Sequence, residues 1–222
     1  MKVEKDYSWS THQPILNMIM TIFKPELVVE LGSGEYSTPL LMSYNPKEYI
    51  CIENGKEWYD HMLNKFDFLN EHNYIYHSVG PSDKLYKQLS REEKDSIIEY
   101  YTLLSDRIDS YSLNPKFIFV DQYTCCRTLS INLLYKNFDI IAYHDCEPAG
   151  VLWYEYKFDN NLINNYDTFC LKTPKSWAGC FVHKKYSVSE NNLKTAIAPF
   201  IKEYCLSNSI APNTIFLEKN KI

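Results

Sequence analysis

Apolar positions along this chain change their spacing repeatedly, and each spacing predicts an element. After a polar lead-in, Pro14 suits a first helical turn, where its missing N–H costs nothing. Ile15, Met18, Ile19 and Ile22 follow at i, i+3, i+4 and i+7, the stripe of an amphipathic helix over 13–23. Residues 27–31 read as a strand, apolar and β-branched except for Glu30. Thr38 and Pro39 have N-cap and first-turn character for the next helix. Strand patterns recur within 48–53, at 74–79, at 116–121 and at 139–144. Between them, Tyr59, Met62, Leu63 and Phe66 share one face of a helix over 56–66. Ser90 and Glu93 form a capping box opening a helix over 90–104, and 129–135 is helical.

This alternation of strand and helix predicts βαβ units and a largely parallel sheet with helices on both faces. The pattern changes near the end. Residues 167–172 and 179–184 are two strands joined by a loop too short for a crossover helix, so they pair antiparallel. The expected fold is α/β, Rossmann-like and doubly wound, with a mostly parallel seven-stranded sheet and an antiparallel last hairpin. A terminal helix occupies 192–204, and 214–217 is an edge strand or an extended tail. One domain over 1–222 is expected, with a core at about 24–185 and a C-terminal extension from 190.

Composition narrows the setting. The chain has 222 residues and a formal net charge of -5, which argues against a nucleic-acid backbone as main partner. Seven Cys is an odd number in a chain too large for a stapled scaffold, so a reducing, cytoplasmic setting is expected. No apolar run reaches membrane-spanning length. Homo-oligomerisation is compatible with the sequence and is not specified by it.

Two groups of residues carry candidate chemistry. The first is Glu30-Leu-Gly-Ser-Gly34, a tight turn at a strand end, where Gly32, Ser33 and Gly34 let a ligand approach the backbone. A dinucleotide fingerprint would carry a third Gly, and here Ser37 stands in its place. Glu30 would repel a pyrophosphate and suit a cationic group. Glu53 ends the next strand, where an acid can accept both ribose hydroxyls. Asn54 and Trp58 follow, placed for an adenine ring.

With these residues, about 24–184 resembles the class I S-adenosylmethionine-dependent methyltransferases. The resemblance implies S-adenosylmethionine as cofactor, its amino-acid end at Glu30 and the glycine turn, its ribose at Glu53, and its adenine beside Ser78 and Val79. The Glu-x-Gly-x-Gly-x-x-Ser-Thr form and a later His-Asp are similar to branches that modify sugars and small molecules. It therefore implies methyl transfer to a hydroxyl of a sugar or small metabolite. A catalytically silent binding or assembly protein and a different nucleotide-cofactor enzyme remain open alternatives.

The second group is Asp121 at the end of one strand, with His144 and Asp145 at the end of the next. In adjacent strands these would open on one crevice and take the proton of an acceptor hydroxyl. A divalent metal such as Mg between Asp121 and Asp145 would be another way to acidify it. Tyr123 and Arg127 are placed to orient substrate, and Trp153 to cover it. Each also has a structural reading: Asp121 as a helix cap, His144 as a core histidine, Asp145 as a turn former and Arg127 as a solvated helix residue.

Overall fold

The computed structural model describes residues 10–78, 80–81, 84–147 and 156–219. Its strands are β1 (Leu27–Leu31), β2 (Glu48–Glu53), β3 (Asn73–Tyr76), β4 (Lys116–Val120), β5 (Ile140–His144), β6 (Tyr166–Lys172), β7 (Ala178–His183) and β8 (Phe216–Lys219). The helices are α1 (Gln13–Phe23), α2 (Thr38–Ser43), α3 (Lys56–Lys65), α4 (Arg91–Asp109), α5 (Thr124–Leu134), α6 (Asn160–Asn165) and α7 (Glu190–Asn208), with short 3-10 turns between.

All eight strands form one sheet in the order β3-β2-β1-β4-β5-β7-β6-β8. The first five are parallel, and β7 runs antiparallel to both β5 and β6. The doubly wound, mostly parallel sheet with its antiparallel hairpin is as the sequence pattern predicts. The strand count differs. Phe216–Lys219 pairs antiparallel with β6 as an eighth strand, so the region left open between strand and tail is an edge strand. Four residues with Phe216 exposed give little periodicity to read.

Strand alternation divides the interior in two. Val28, Tyr49, Cys51, Phe117, Phe119, Ile140 and Ala142 face α1, α2, α3 and α7. Val29, Leu31, Ile50, Ile52, Ile118, Val120 and Ile141 face α4, α5 and α6. A sheet covered on both faces needs near-continuous apolar strands, and β1, β4 and β5 are buried throughout. Helix α1 departs from its predicted stripe. Leu16 and Met20 are buried with Ile15, Met18 and Ile19, whereas Ile22 is exposed. Contact with both the sheet face and α7 widens the apolar side of α1 and rotates it away from Ile22.

Register then sets the functional edge. Leu31 lies level with Ile52 on one side and Val120 on the other. The loops after β1, β2 and β4 therefore leave the sheet at one height. The strand order reverses between β1 and β4, where an open α/β sheet leaves a crevice.

Candidate functional site

A cavity of about 700 Å³ opens at that crevice. Its wall comes from the loop after β1 (Gly32 to Tyr36), from Glu53, Gly55 and Trp58, and from Asp121, Gln122, Tyr123 and Arg127. His12, just before α1, completes it.

The β1 turn is shaped by close packing. Gly32 sits at φ +87°, and a Cβ there would lie 2.3 Å from the Asp121 carbonyl oxygen. Only a residue without a side chain lets β1 and β4 close at this height. Ser33 then turns its backbone N–H and its hydroxyl onto Glu53 Oε2, at 2.9 and 2.8 Å. The Gly55 N–H reaches Glu53 Oε1 at 2.8 Å. Trp58 closes the lattice by donating from Nε1 to the Ser33 carbonyl at 2.7 Å. Burial raises the Glu53 carboxyl above its ordinary value, while the Gly55 and Ser33 donors pull it down.

Glu30 is placed differently from the sequence expectation. It is fully buried beneath the turn and is not part of the cavity wall. Thr38 Oγ1 donates to its Oε2 at 2.8 Å, Tyr49 donates to the same oxygen, and Gly34 N–H donates to Thr38 Oγ1 at 3.0 Å. Burial pushes the Glu30 carboxyl up to about 7 against these hydrogen bonds. Its geometry ties the glycine turn to β2 and to the start of α2. Strand alternation explains the position: Glu30 shares the Val28 face, which is roofed by helices. Ser37 is buried beside this group at the N-cap position of α2, without a side-chain capping hydrogen bond, and Thr38 lies inside the first turn. Asn54 is buried and donates to the His77 carbonyl at 3.1 Å, away from the cavity. Ser78 is exposed and outside the wall. Val79 and Trp153 lie outside the described residues.

The second group converges around Arg127. Its Nη2 lies 2.6 Å from Asp121 Oδ1 and its Nη1 lies 3.0 Å from Asp145 Oδ2. Its Nε donates to the Gln122 carbonyl at 2.6 Å. The guanidinium thus bridges the two carboxylates that the sequence offers as an alternative site for a metal such as Mg, and supplies the positive charge there. It is 7% exposed, so the reading as a solvated helix residue fails. Its position three residues into α5 and next to β5 carries it inward.

Asp121 faces the cavity, while His144 and Asp145 stand behind it, off the wall. His144 Nδ1 is 3.4 Å from Asp121 Oδ2 and 3.6 Å from Asp145 Oδ1. His144 Nε2 is 2.7 Å from Thr11 Oγ1. Asp145 occupies left-handed backbone at φ 58° and accepts from the Ser176 hydroxyl at 2.7 Å. Burial works to raise the Asp121 carboxyl, but the Arg127 and His144 charges outweigh it and hold it at about 2. Burial likewise opposes charge on His144, yet Asp121 and Asp145 bring it above the ordinary histidine value. Asp145 is lowered in spite of burial, by His144 and Arg127. Tyr123 reaches the wall from the N-cap of α5.

Sequence reasoning missed His12, Glu35, Tyr36 and Gln122. His12 is 2% exposed, and neither ring nitrogen has a hydrogen-bond partner among the described residues. Burial and the neighbouring His144 press its pKa down to about 3. The signal available was slight: a histidine ending a polar lead-in, immediately before a helix. Glu35 lines the cavity while pairing with Lys65 at 2.6 Å and His61 at 2.7 Å.

No protein-family model and no curated protein matches the sequence. Solved structures do. A candidate caffeoyl-CoA O-methyltransferase from Staphylococcus aureus is similar at 13% identity and a TM-score of 0.50, over 76% of this chain and 81% of that one. A methyltransferase-like protein from Silicibacter pomeroyi is similar at 14% identity and a TM-score of 0.49, over 84% and 92%. The match at 0.50 shows that the chain shares the Rossmann-like fold of that structure.

Proposed function

We propose that the chain is an S-adenosylmethionine-dependent methyltransferase acting on a hydroxyl of a sugar or small metabolite. The observation that carries this reading is Glu53. Its carboxylate sits on the cavity wall beside the Gly32–Gly34 turn, fixed by the Ser33 and Gly55 N–H groups. Oε2 already accepts both the N–H and the hydroxyl of Ser33, whereas Oε1, which accepts the Gly55 N–H, keeps a lone pair for a ribose hydroxyl. The cavity volume suits a nucleoside-sized ligand with a small acceptor. Trp58 and Tyr36 are partly exposed on the wall and offer aromatic faces to a base or a sugar ring.

Bound S-adenosylmethionine would supply a methyl group already activated on a sulfonium. What this chain's residues add is placement and proton handling. Ser33, Gly34 and Glu53 line the cavity from the loops after β1 and β2, and Asp121 and His12 add polar groups to the same wall. Asp121 orients an acceptor hydroxyl by accepting its hydrogen bond. His144 and Arg127 keep that carboxylate ionised and pointed. The proton leaves toward the His12, Asp121 and His144 group, directly or through water. Tyr123 is placed to position the acceptor. We place the reaction in the cytoplasm, with a small-molecule substrate in preference to nucleic acid. No helix among the described residues is long and apolar enough to cross a membrane.

Calorimetry with S-adenosylmethionine, S-adenosylhomocysteine and NAD tests the reading. The first two should bind at micromolar levels and NAD should not. Failure of both sulfur ligands at millimolar concentration overturns it. Asp121→Asn and His144→Ala should then lose turnover while keeping cofactor affinity.

A further inference from the structure

Three donor groups meet beside the cavity, with His12 and Asp121 on its wall and His144 behind them. His12, Asp121 and His144 bring one ligand atom each to within 4.8 Å of the other two. His12 is buried with both nitrogens unpartnered among the described residues, a costly state for a polar ring unless something binds it. Its ring is held by Phe119, at 5.0 Å between centroids, and edge-on by His144, at 4.9 Å. The other two donors are oriented from behind. Thr11 Oγ1 sits 2.7 Å from His144 Nε2, so that nitrogen can carry the proton and leave the Nδ1 lone pair facing Asp121 Oδ2. Arg127 takes Asp121 Oδ1, which leaves Oδ2 as the oxygen on the shared side. A hydrogen bond on the far nitrogen is how proteins orient a ligating histidine.

We propose that His12, Asp121 and His144 form a site for one divalent transition-metal ion, with its open positions toward the cavity. Bond lengths of about 2.1 Å put donors about 3 to 4 Å apart around an ion, so the three need to close only slightly. Two imidazoles and one carboxylate select zinc, iron or cobalt over magnesium, which prefers oxygen. Charge agrees: Asp121 and Asp145 against Arg127 leave one negative charge for a dication. The site is distinct from a magnesium pair at Asp121 and Asp145, because Arg127 fills that gap. Metal binding stands independently of methyl transfer. Its use to acidify an acceptor hydroxyl rests on the proposed activity.

Chelator-treated protein titrated with Co²⁺ tests the site through the visible d–d absorption of the ion. One equivalent per chain should bind, and Zn²⁺ should displace it. His12→Gln should abolish the bands with an unchanged circular dichroism spectrum. Thr11→Val should weaken binding roughly 10- to 100-fold, and the exposed His72→Ala variant should bind as wild type. Absence of cobalt bands in the wild type overturns the proposal, as does full binding by His12→Gln. Should His144→Ala fail to fold, His12→Gln still decides. S-adenosylmethionine calorimetry on the same samples separates failure of the metal site from failure of the cofactor reading.

Discussion

Single residues fix the turn that begins the cavity. At Gly32 the positive φ and the 2.3 Å approach to Asp121 both exclude a side chain. Gly32→Ala should cost about 3 kcal/mol from strain and overpacking together, read as a lower urea midpoint with unchanged slope. Glu53 acts at the same scale but on ligand. Glu53→Gln keeps the shape and removes the charge, so cofactor affinity should fall roughly 10- to 100-fold, the worth of charge-assisted hydrogen bonds. Calorimetry reads it, and unchanged affinity would remove Glu53 from the binding set. The identities of these residues could be read from sequence. Glu30 could not be placed so, because a carboxylate one residue before a turn looks the same whether it faces ligand or helix. Its side follows from which sheet face α2 and α3 cover.

At the scale of elements, caps and cross-links decide how firmly the walls stand. The predicted capping box is present: Glu93 N–H donates to Ser90 Oγ at 3.1 Å, and Ser90 N–H donates to Glu93 Oε2 at 2.7 Å. Ser90→Ala should cost about 1 kcal/mol, visible in the same urea titration. Arg127 joins α5 to the ends of β4 and β5. Arg127→Met leaves Asp121 and Asp145 facing each other without their shared cation. The expected loss is about 3 kcal/mol or more in stability, and an unchanged melting temperature would contradict the bridging role. Helix ends were the weakest part of the sequence reading. Helix α5 begins at Thr124, well before 129–135; its first turn is buried through the adjacent Cys125 and Cys126, which give no helical spacing to read.

The whole molecule carries a pH signature through Glu30. Its folded carboxyl is raised from 4.5 to about 7 by burial. A raised folded value means the native state holds its proton where the unfolded chain has lost it. The resulting stabilisation is complete below 4.5 and is lost as pH rises through 7. Glu30→Gln removes that dependence. Relative to the variant, the wild type should lose up to about 1.4 kcal/mol per pH unit between pH 5 and 7. Parallel curves for the two proteins, measured by thermal melting, would contradict the buried neutral acid.

By itself the sequence determined the alternation of elements, the glycine turn and the acids that end β1, β2 and β4, because periodicity and turn chemistry are local. It also determined the antiparallel hairpin, through a loop too short for a crossover. Only the tertiary structure decided which carboxylate faces the cavity, that Arg127 lies between Asp121 and Asp145, and that His12 meets His144 across 132 positions of chain. Those facts depend on strand order and on the seating of α1 against the sheet. Side chains brought together by long-range packing leave no spacing in the sequence by which they could be found.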